Sequence, residues 1–205
     1  MLIRQAEFIK SSPSYKDCPP TTFPEYAFIG RSNVGKSSLI NMLTNNRKLA
    51  KISSTPGKTQ LLNHFLINDS WYLTDLPGFG FAKVPVHIKK KWERMIRDYL
   101  ENRENLVCTF MLIDIRHEPL NNDMLFLDWL GVKQLPFYIL FTKSDKLGKN
   151  KLLSNLAAYE KAFSEKWDPL PPYLVTSSHT KAGREEVLGL IEEWNASYRP
   201  LNLES

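Results

Sequence analysis

Residues 30 to 37 read GRSNVGKS, which sets Gly30, Gly35, Lys36 and Ser37 at the spacing of a phosphate-binding loop. The spacing carries a mechanism. Glycines let the backbone bend so that successive N–H groups, from Arg31, Ser32, Asn33 and Val34 onward, turn inward at the start of a helix, where the helix dipole also favours an anion. Lys36 is then placed to reach the β- and γ-phosphates of a nucleotide, and the Ser37 hydroxyl to bind Mg2+. The context fits: the apolar run EYAFIG precedes the loop, and KSSLINMLTNN, with apolar residues at helical spacing, follows it.

A phosphate loop leaves the base open. The run PFYILF ends in Thr142-Lys143-Ser144-Asp145, at the carboxyl edge of the expected sheet, where ligands of open α/β folds bind. Asp145 can accept from both guanine N1–H and the 2-amino group. Adenine offers neither donor, and a buried group built for a missing partner discriminates on the order of 10⁴-fold. Lys143 is expected to run its stem near the base while its ammonium braces the phosphate loop. Thr142 stands where many GTPases carry asparagine, and its shorter side chain predicts a looser base loop and fast nucleotide exchange. Thr176-Ser177-Ser178 follows the last strand-like run, with the Ser177 and Ser178 N–H groups expected to face guanine O6.

Two further segments complete the set. In Asp75-Leu76-Pro77-Gly78, the aspartate is expected to hold Mg2+ through water and the Gly78 N–H to contact the γ-phosphate. The second Mg2+ ligand must lie between these motifs, in SSTPGKTQ. Thr59, flanked by Gly57, Lys58 and Gln60, is the choice, and Thr55 is the alternative. The residue after Gly78 is anomalous. Small GTPases place a glutamine there to orient the attacking water, but this chain has Phe79, which neither donates nor accepts a hydrogen bond.

The elements that must position these residues alternate strand, loop and helix along the chain. After a candidate edge strand, AEFIKS, and a Pro-rich stretch come six strand-like runs; LLNHFLIN and WYLTDLPG are joined by a tight turn at Asp69-Ser70, the others alternate with helical runs, and LVCTFMLID is nearly continuous in apolar residues. Such alternation predicts a mostly parallel six-stranded α/β sheet with helices on both faces. The predicted organisation is an extension over residues 1–24, a nucleotide-binding domain over 25–199 and a tail over 200–205.

At 205 residues, with 42% apolar residues, the chain suits one well-buried domain. Its apolar runs fall short of the ~20 residues of a membrane span. The charged start MLIRQAEFIK and the unpaired Cys18 and Cys108 point to the cytoplasm. Neither cysteine forms metal-ligand spacing with the histidines. A net charge of +5 suits an anionic partner such as RNA. The basic helix HIKKKWERMIRDYL offers Lys89, Lys90, Lys91, Arg94 and Arg97 to phosphates, or simply to water. Its Trp92, Met95, Ile96 and Tyr99 are expected to face the core. His117, in DIRHEP, is read as a loop residue more readily than as a general base.

GRSNVGKSSLIN, STPGKTQ, DLPGFGFAKV, LIDIRH and FTKSDKL together resemble the EngB family of bacterial GTP-binding proteins, over most of the chain. The resemblance implies a three-layer Ras-like G domain and a monomer that binds GTP and GDP and assists assembly of the large ribosomal subunit, through rRNA or ribosomal proteins. It also favours Thr59 over Thr55. Phe79 and Phe81 depart from it, standing where the family often has tyrosine. Relatives with a hydrophobic residue in place of the glutamine, and with an asparagine at the place of Asn33, bind K+ there. A slow GTPase is therefore expected, in which Lys36, Thr59, Gly78 and a K+ ion at Asn33 act on the transferred phosphate. A P-loop small-molecule kinase is a second reading, disfavoured by Asp145 with Thr59. A nucleotide-dependent interaction module with negligible hydrolysis is a third, motivated by Phe79.

Overall fold

The computed structural model describes residues 1–50, 61–79 and 86–199, with 86–89 as backbone only. Seven strands form one sheet: β1 (Ala6–Ser12), β2 (Glu25–Gly30), β3 (Leu62–Ile67), β4 (Trp71–Asp75), β5 (Leu106–Asp114), β6 (Phe137–Thr142) and β7 (Tyr173–Val175), in the spatial order β1-β3-β4-β2-β5-β6-β7. The four pairings from β4 through β2, β5 and β6 to β7 are parallel, while β1·β3 and β3·β4 are antiparallel. The alternation of the sequence predicts six strands. The seventh is the candidate edge strand, which joins the same sheet by pairing Ala6 with Ile67 through Ser12 with Leu62.

Five helices cover the sheet: α1 (Lys36–Leu43), α2 (Val86–Asn102), α3 (Asn121–Val132), α4 (Lys149–Ser164) and α5 (Arg184–Ser197). Side chains alternate across a strand, so each strand feeds both faces. Tyr26 and Phe28 of β2, with Cys108, Phe110 and Leu112 of β5, pack with Leu39, Ile40 and Leu43 of α1 and Val187, Leu188 and Ile191 of α5. Ala27, Ile29, Met111 and Ile113 pack on the opposite face with Ile96 and Tyr99 of α2, Leu127 and Leu130 of α3, and Tyr159 and Phe163 of α4. No helix of the described residues is long and apolar enough to cross a membrane.

One polar cluster lies inside this core. The Glu25 carboxylate, at the start of β2, accepts from Thr74 (2.7 Å), Tyr99, Arg103 Nε and Nη2 (2.9 and 2.6 Å) and Asn105 (3.2 Å). Burial alone would push this carboxyl up, but His64 and the Arg103 guanidinium hold it down at about 2. The cluster ties the C-terminal end of α2 to the sheet edge away from the carboxyl ends of the strands, so that end of the helix is fixed.

Candidate functional site

The motif residues converge because β2, β4, β5 and β6 run parallel and end together. Phe28 lies opposite Asp75, Gly30 opposite Leu112, and Asp114 opposite Thr142. Their carboxyl ends therefore bring the phosphate loop, Asp75, Asp114 and the Thr142–Asp145 turn to one rim.

At the phosphate end, Lys36 and Asp75 form an ion pair, with side chains only 10% and 5% exposed. Gly35 has φ of +103°, a left-handed turn that delivers the chain into the first turn of α1 at Lys36 and Ser37. The N–H groups of that first turn find no acceptor inside the helix, which leaves them for an anion. The cradle is narrower than the sequence predicts. The Ser32 N–H donates to Phe79 O at 3.3 Å and the Val34 N–H to Arg31 O at 3.2 Å, so these two amides are taken by protein carbonyls. The hydroxyl of Ser37 and the carboxylate of Asp75 are hard oxygen donors, a set that fits Mg2+. Thr59 and Thr55, with Gly57, Lys58 and Gln60, lie outside the described residues, as do Phe81 and the side chains of His87 and Lys89.

The sensor segment is laced onto the phosphate loop. Phe79 donates its N–H to Gly30 O at 3.2 Å, and a Cβ on Gly78 would come within 3.2 Å of Gly30 O and 3.3 Å of Ser32 N. Only glycine fits that approach without a shift. Leu76 and Pro77 are buried and present backbone rather than side chain to the rim. The Phe79 ring stacks on Phe126 of α3, with centroids 5.0 Å apart and planes at 19°. It is an anchor, not a group that could hold water.

At the base end, the Ser177 hydroxyl donates to Asp145 Oδ1 at 2.7 Å and accepts the N–H groups of His179 and Thr180. That hydrogen bond is the main reason the Asp145 carboxyl is held below its usual range, so it stays ionised and able to accept hydrogen bonds. Three expectations change here. The Ser177 N–H donates to Ala182 O and is not free for guanine O6, which leaves the exposed Ser178. Ser144 donates through its N–H and hydroxyl to Thr176 O, while Thr176 spends its own N–H and hydroxyl on Phe141 O, so these two stitch the loops together instead of facing a ligand. Thr142 does reach the phosphate loop: its hydroxyl donates to Val34 O at 2.7 Å, so the missing asparagine has not loosened this joint.

The two ends are tied by Lys143. Its Nζ donates to Asn33 O at 2.6 Å and pairs with Asp114 at 2.9 Å. Asp114 also takes both arms of Arg116, at 2.9 and 2.7 Å. Burial would raise the Asp114 carboxyl, but Arg116 and Lys143 outweigh it and hold it at about 2. The sequence reading missed Asp114 as a brace. The available signal was an acid ending a buried strand next to the Thr142 strand. Asn33 itself is exposed at φ of +63°, and among the described residues its side-chain amide makes no hydrogen bond.

A cavity of about 190 Å³ adjoins the loop, lined by Arg31, Ser32, Asp114 and Asp123 among others. Among the described residues Arg31 Nε, Ser32 Oγ and Asp123 Oδ1 are buried there without a hydrogen-bond partner, and burial pushes the Asp123 carboxyl up to about 6 against the pull of Arg31. His117 borders this cavity too, half exposed and 3.9 Å from Asp114, as a loop residue would be. On α2, Trp92, Ile96 and Tyr99 are buried, Lys90, Lys91 and Arg94 are exposed, and Arg97 lies over the Trp129 ring at 5.1 Å.

Comparison with known proteins adds the family. Residues 25–143 match the family model described as 50S ribosome-binding GTPase. A probable GTP-binding protein EngB from Flavobacterium johnsoniae is 54% identical over 196 residues, covering 95% of this chain and 93% of its own. Its namesake from Bacteroides fragilis is 53% identical, covering 95% of this chain and 97% of its own. Among solved structures, a probable GTP-binding protein engB superposes with a TM-score of 0.68 over 85% of this chain and all of that one, at 23% identity. Aquifex aeolicus Era, solved with GDP and AlF4⁻, gives 0.62 at 21% identity over 86% of this chain and 58% of that one. At such identities the structures testify to the fold, while the sequence matches span nearly the whole chain: it is a GTPase, and it belongs to the EngB family of GTP-binding proteins.

Proposed function

We propose that this chain is a GTP-driven switch that hydrolyses GTP slowly by itself and works in the cytoplasm, as a monomer, on precursors of the large ribosomal subunit. The observation that carries the nucleotide part is the bracing of both ends of one ligand by Lys143 and Thr142, which reach from the Asp145 turn to the carbonyls of Asn33 and Val34. A ligand with a guanine at one end and phosphates at the other spans such a frame.

The residues then divide the work. Lys36 would exchange its partner Asp75 for the β- and γ-phosphates, and Ser37 and the freed Asp75 would be the groups that hold Mg2+. Mg2+ supplies charge neutralisation on the phosphates. Gly78 offers its N–H to the γ-phosphate, and the chain after it carries the signal onward. Because Phe79 is stacked on Phe126 and cannot orient water, intrinsic turnover is slow. The exposed, unengaged amide of Asn33 is the place for a K+ ion that adds positive charge beside the phosphates. The exposed Lys90, Lys91 and Arg94 of α2 suit an anionic partner surface.

Turnover measured in KCl against NaCl tests the cation. A stimulated rate in KCl that disappears in Asn33→Ala supports it, and an unchanged K+ response in that variant refutes it. Sedimentation with large-subunit precursors in a GTP analogue, GDP or no nucleotide tests the partner. Equal binding in all three states would refute the switch. Phosphate found on a small acceptor instead of in water would favour a kinase.

A further inference from the structure

The side of the molecule bearing α1 and α5 holds a basic trough that the nucleotide site does not use. Two adjoining cavities of about 460 and 400 Å³ share Ile3 and Asn45 as lining residues and form one continuous depression. One wall is the approach to β1 with Arg4, the other is the loop after α1 with Arg47 and Lys48, and Lys181 stands at the far end. Among the described residues none of these four cations forms an ion pair. Among the described residues the only acidic one lining the trough is Glu185, and it is already paired with Arg184.

The backbone of each wall is clamped by an asparagine side chain. Asn68 accepts the N–H groups of Arg4 (2.8 Å) and Gln5 (3.1 Å) and donates to Leu2 O (2.8 Å). The buried Asn41 donates to Arg47 O (3.1 Å) and Ala50 O (2.9 Å) and accepts from Ala50 N–H (2.7 Å). The C-terminus of α1 points into this region with its partial negative charge. Arg184 cancels that charge by donating to Met42 O and Leu43 O, at 3.0 and 2.9 Å. The trough therefore presents uncommitted cations on a preorganised frame, which lowers the entropy lost on binding.

We infer that this trough docks an RNA phosphodiester backbone, an inference that rests on the ribosomal reading above and adds a surface to it. Its polar lining, with Gln5, Thr44, Asn45 and Asn46 between the cations, is the set of groups that contacts phosphate and sugar in nucleic-acid complexes. A protein partner would want aromatic anchors in a desolvated centre; among the described residues the trough has no aromatic lining, and its apolar members, Leu2, Ile3 and Ala6, all lie on the β1 wall.

The test titrates a fluorescein-labelled mixed-sequence RNA oligonucleotide by anisotropy over a range of salt. The proteins are the wild-type chain, the triple variant Arg4→Glu/Arg47→Glu/Lys48→Glu, and a control of equal charge change on α4, Lys149→Glu/Lys151→Glu/Lys161→Glu. Each lost phosphate contact removes about 0.7–0.9 from the slope of log affinity against log salt. The trough variant should lose roughly two from that slope and at least about tenfold in affinity, both measured against the α4 control. GTP turnover should stay the same in all three. Equal RNA affinity and slope in the two variants would overturn the inference, and so would polyglutamate competing as well as RNA does. The functional reading fails separately: if wild type binds no precursor particles in any nucleotide state, that reading falls, while oligonucleotide binding still decides the trough.

Discussion

Removing the Thr142 hydroxyl should show what holds the nucleotide site together. Thr142 is 4% exposed, and its hydroxyl donates to Val34 O at 2.7 Å. Thr142→Val keeps the shape and β-branching but leaves a buried carbonyl without that donor, which costs about 1–3 kcal/mol. Val34 belongs to the loop proposed to wrap the phosphates, so a loosened Val34 should weaken nucleotide binding as well as the fold. If all of that energy is felt in binding, GDP affinity falls by about 5- to 150-fold, mostly as faster release. Stopped-flow chase of a fluorescent GDP measures release, and thermal melting of the nucleotide-free protein measures the fold. Thr142→Asn, whose longer amide can still donate, should keep the wild-type rate. The reasoning is refuted if Thr142→Val melts lower yet releases GDP at the wild-type rate, because the tie would then serve folding alone.

On the proposed reading, Asp145→Ala removes an acceptor of two hydrogen bonds from guanine. At about 1.5–3 kcal/mol for each bond to a charged group, GTP affinity by calorimetry should fall by about 10²- to 10⁴-fold, with weak ATP binding unchanged. Arg103→Met strands the buried Glu25 carboxylate and should lower unfolding free energy in urea by about 3–5 kcal/mol, with GTP affinity retained. The Glu25 carboxyl is depressed from 4.5 to about 2 in the folded protein, so its stabilisation is complete above pH ~4.5 and lost as pH falls towards 2. Urea midpoints across that window should fall for wild type and stay flatter for Glu25→Gln.

Period and punctuation in the sequence were enough to place the strands, the helices and the rim, because buried parallel strands and amphipathic helices leave signals that do not depend on tertiary detail. What they could not show is where a polar atom spends its hydrogen bond. Thr176 and Ser177 lie in the right loop, yet Thr176 is consumed by Phe141 O and Ser177 by Ala182 O and Asp145. Thr142 looked too short for its task, and the joint closes because the Val34 carbonyl lies within its reach. Asp114 escaped notice because its partners, Lys143 and Arg116, are respectively 29 and 2 residues away, and only strand register makes the first of them a neighbour.

The phenylalanine after the sensor glycine is best understood mechanically. Its backbone is laced to Gly30 and Ser32, and its ring lies on Phe126, which in turn contacts Trp129 at 5.5 Å, with Arg97 of α2 over that indole. The far end of α2 is pinned by Tyr99 and Arg103 on Glu25. On the proposed reading, a shift of Gly78 towards a γ-phosphate would strain the Phe79 stack on α3. A glutamine at position 79 could orient a water but could not make this stack. The chain has a ring stacked on α3 where a hydrolytic glutamine would stand, so on the proposed reading the charge or water-positioning group that speeds hydrolysis is supplied from elsewhere, as the KCl against NaCl comparison tests.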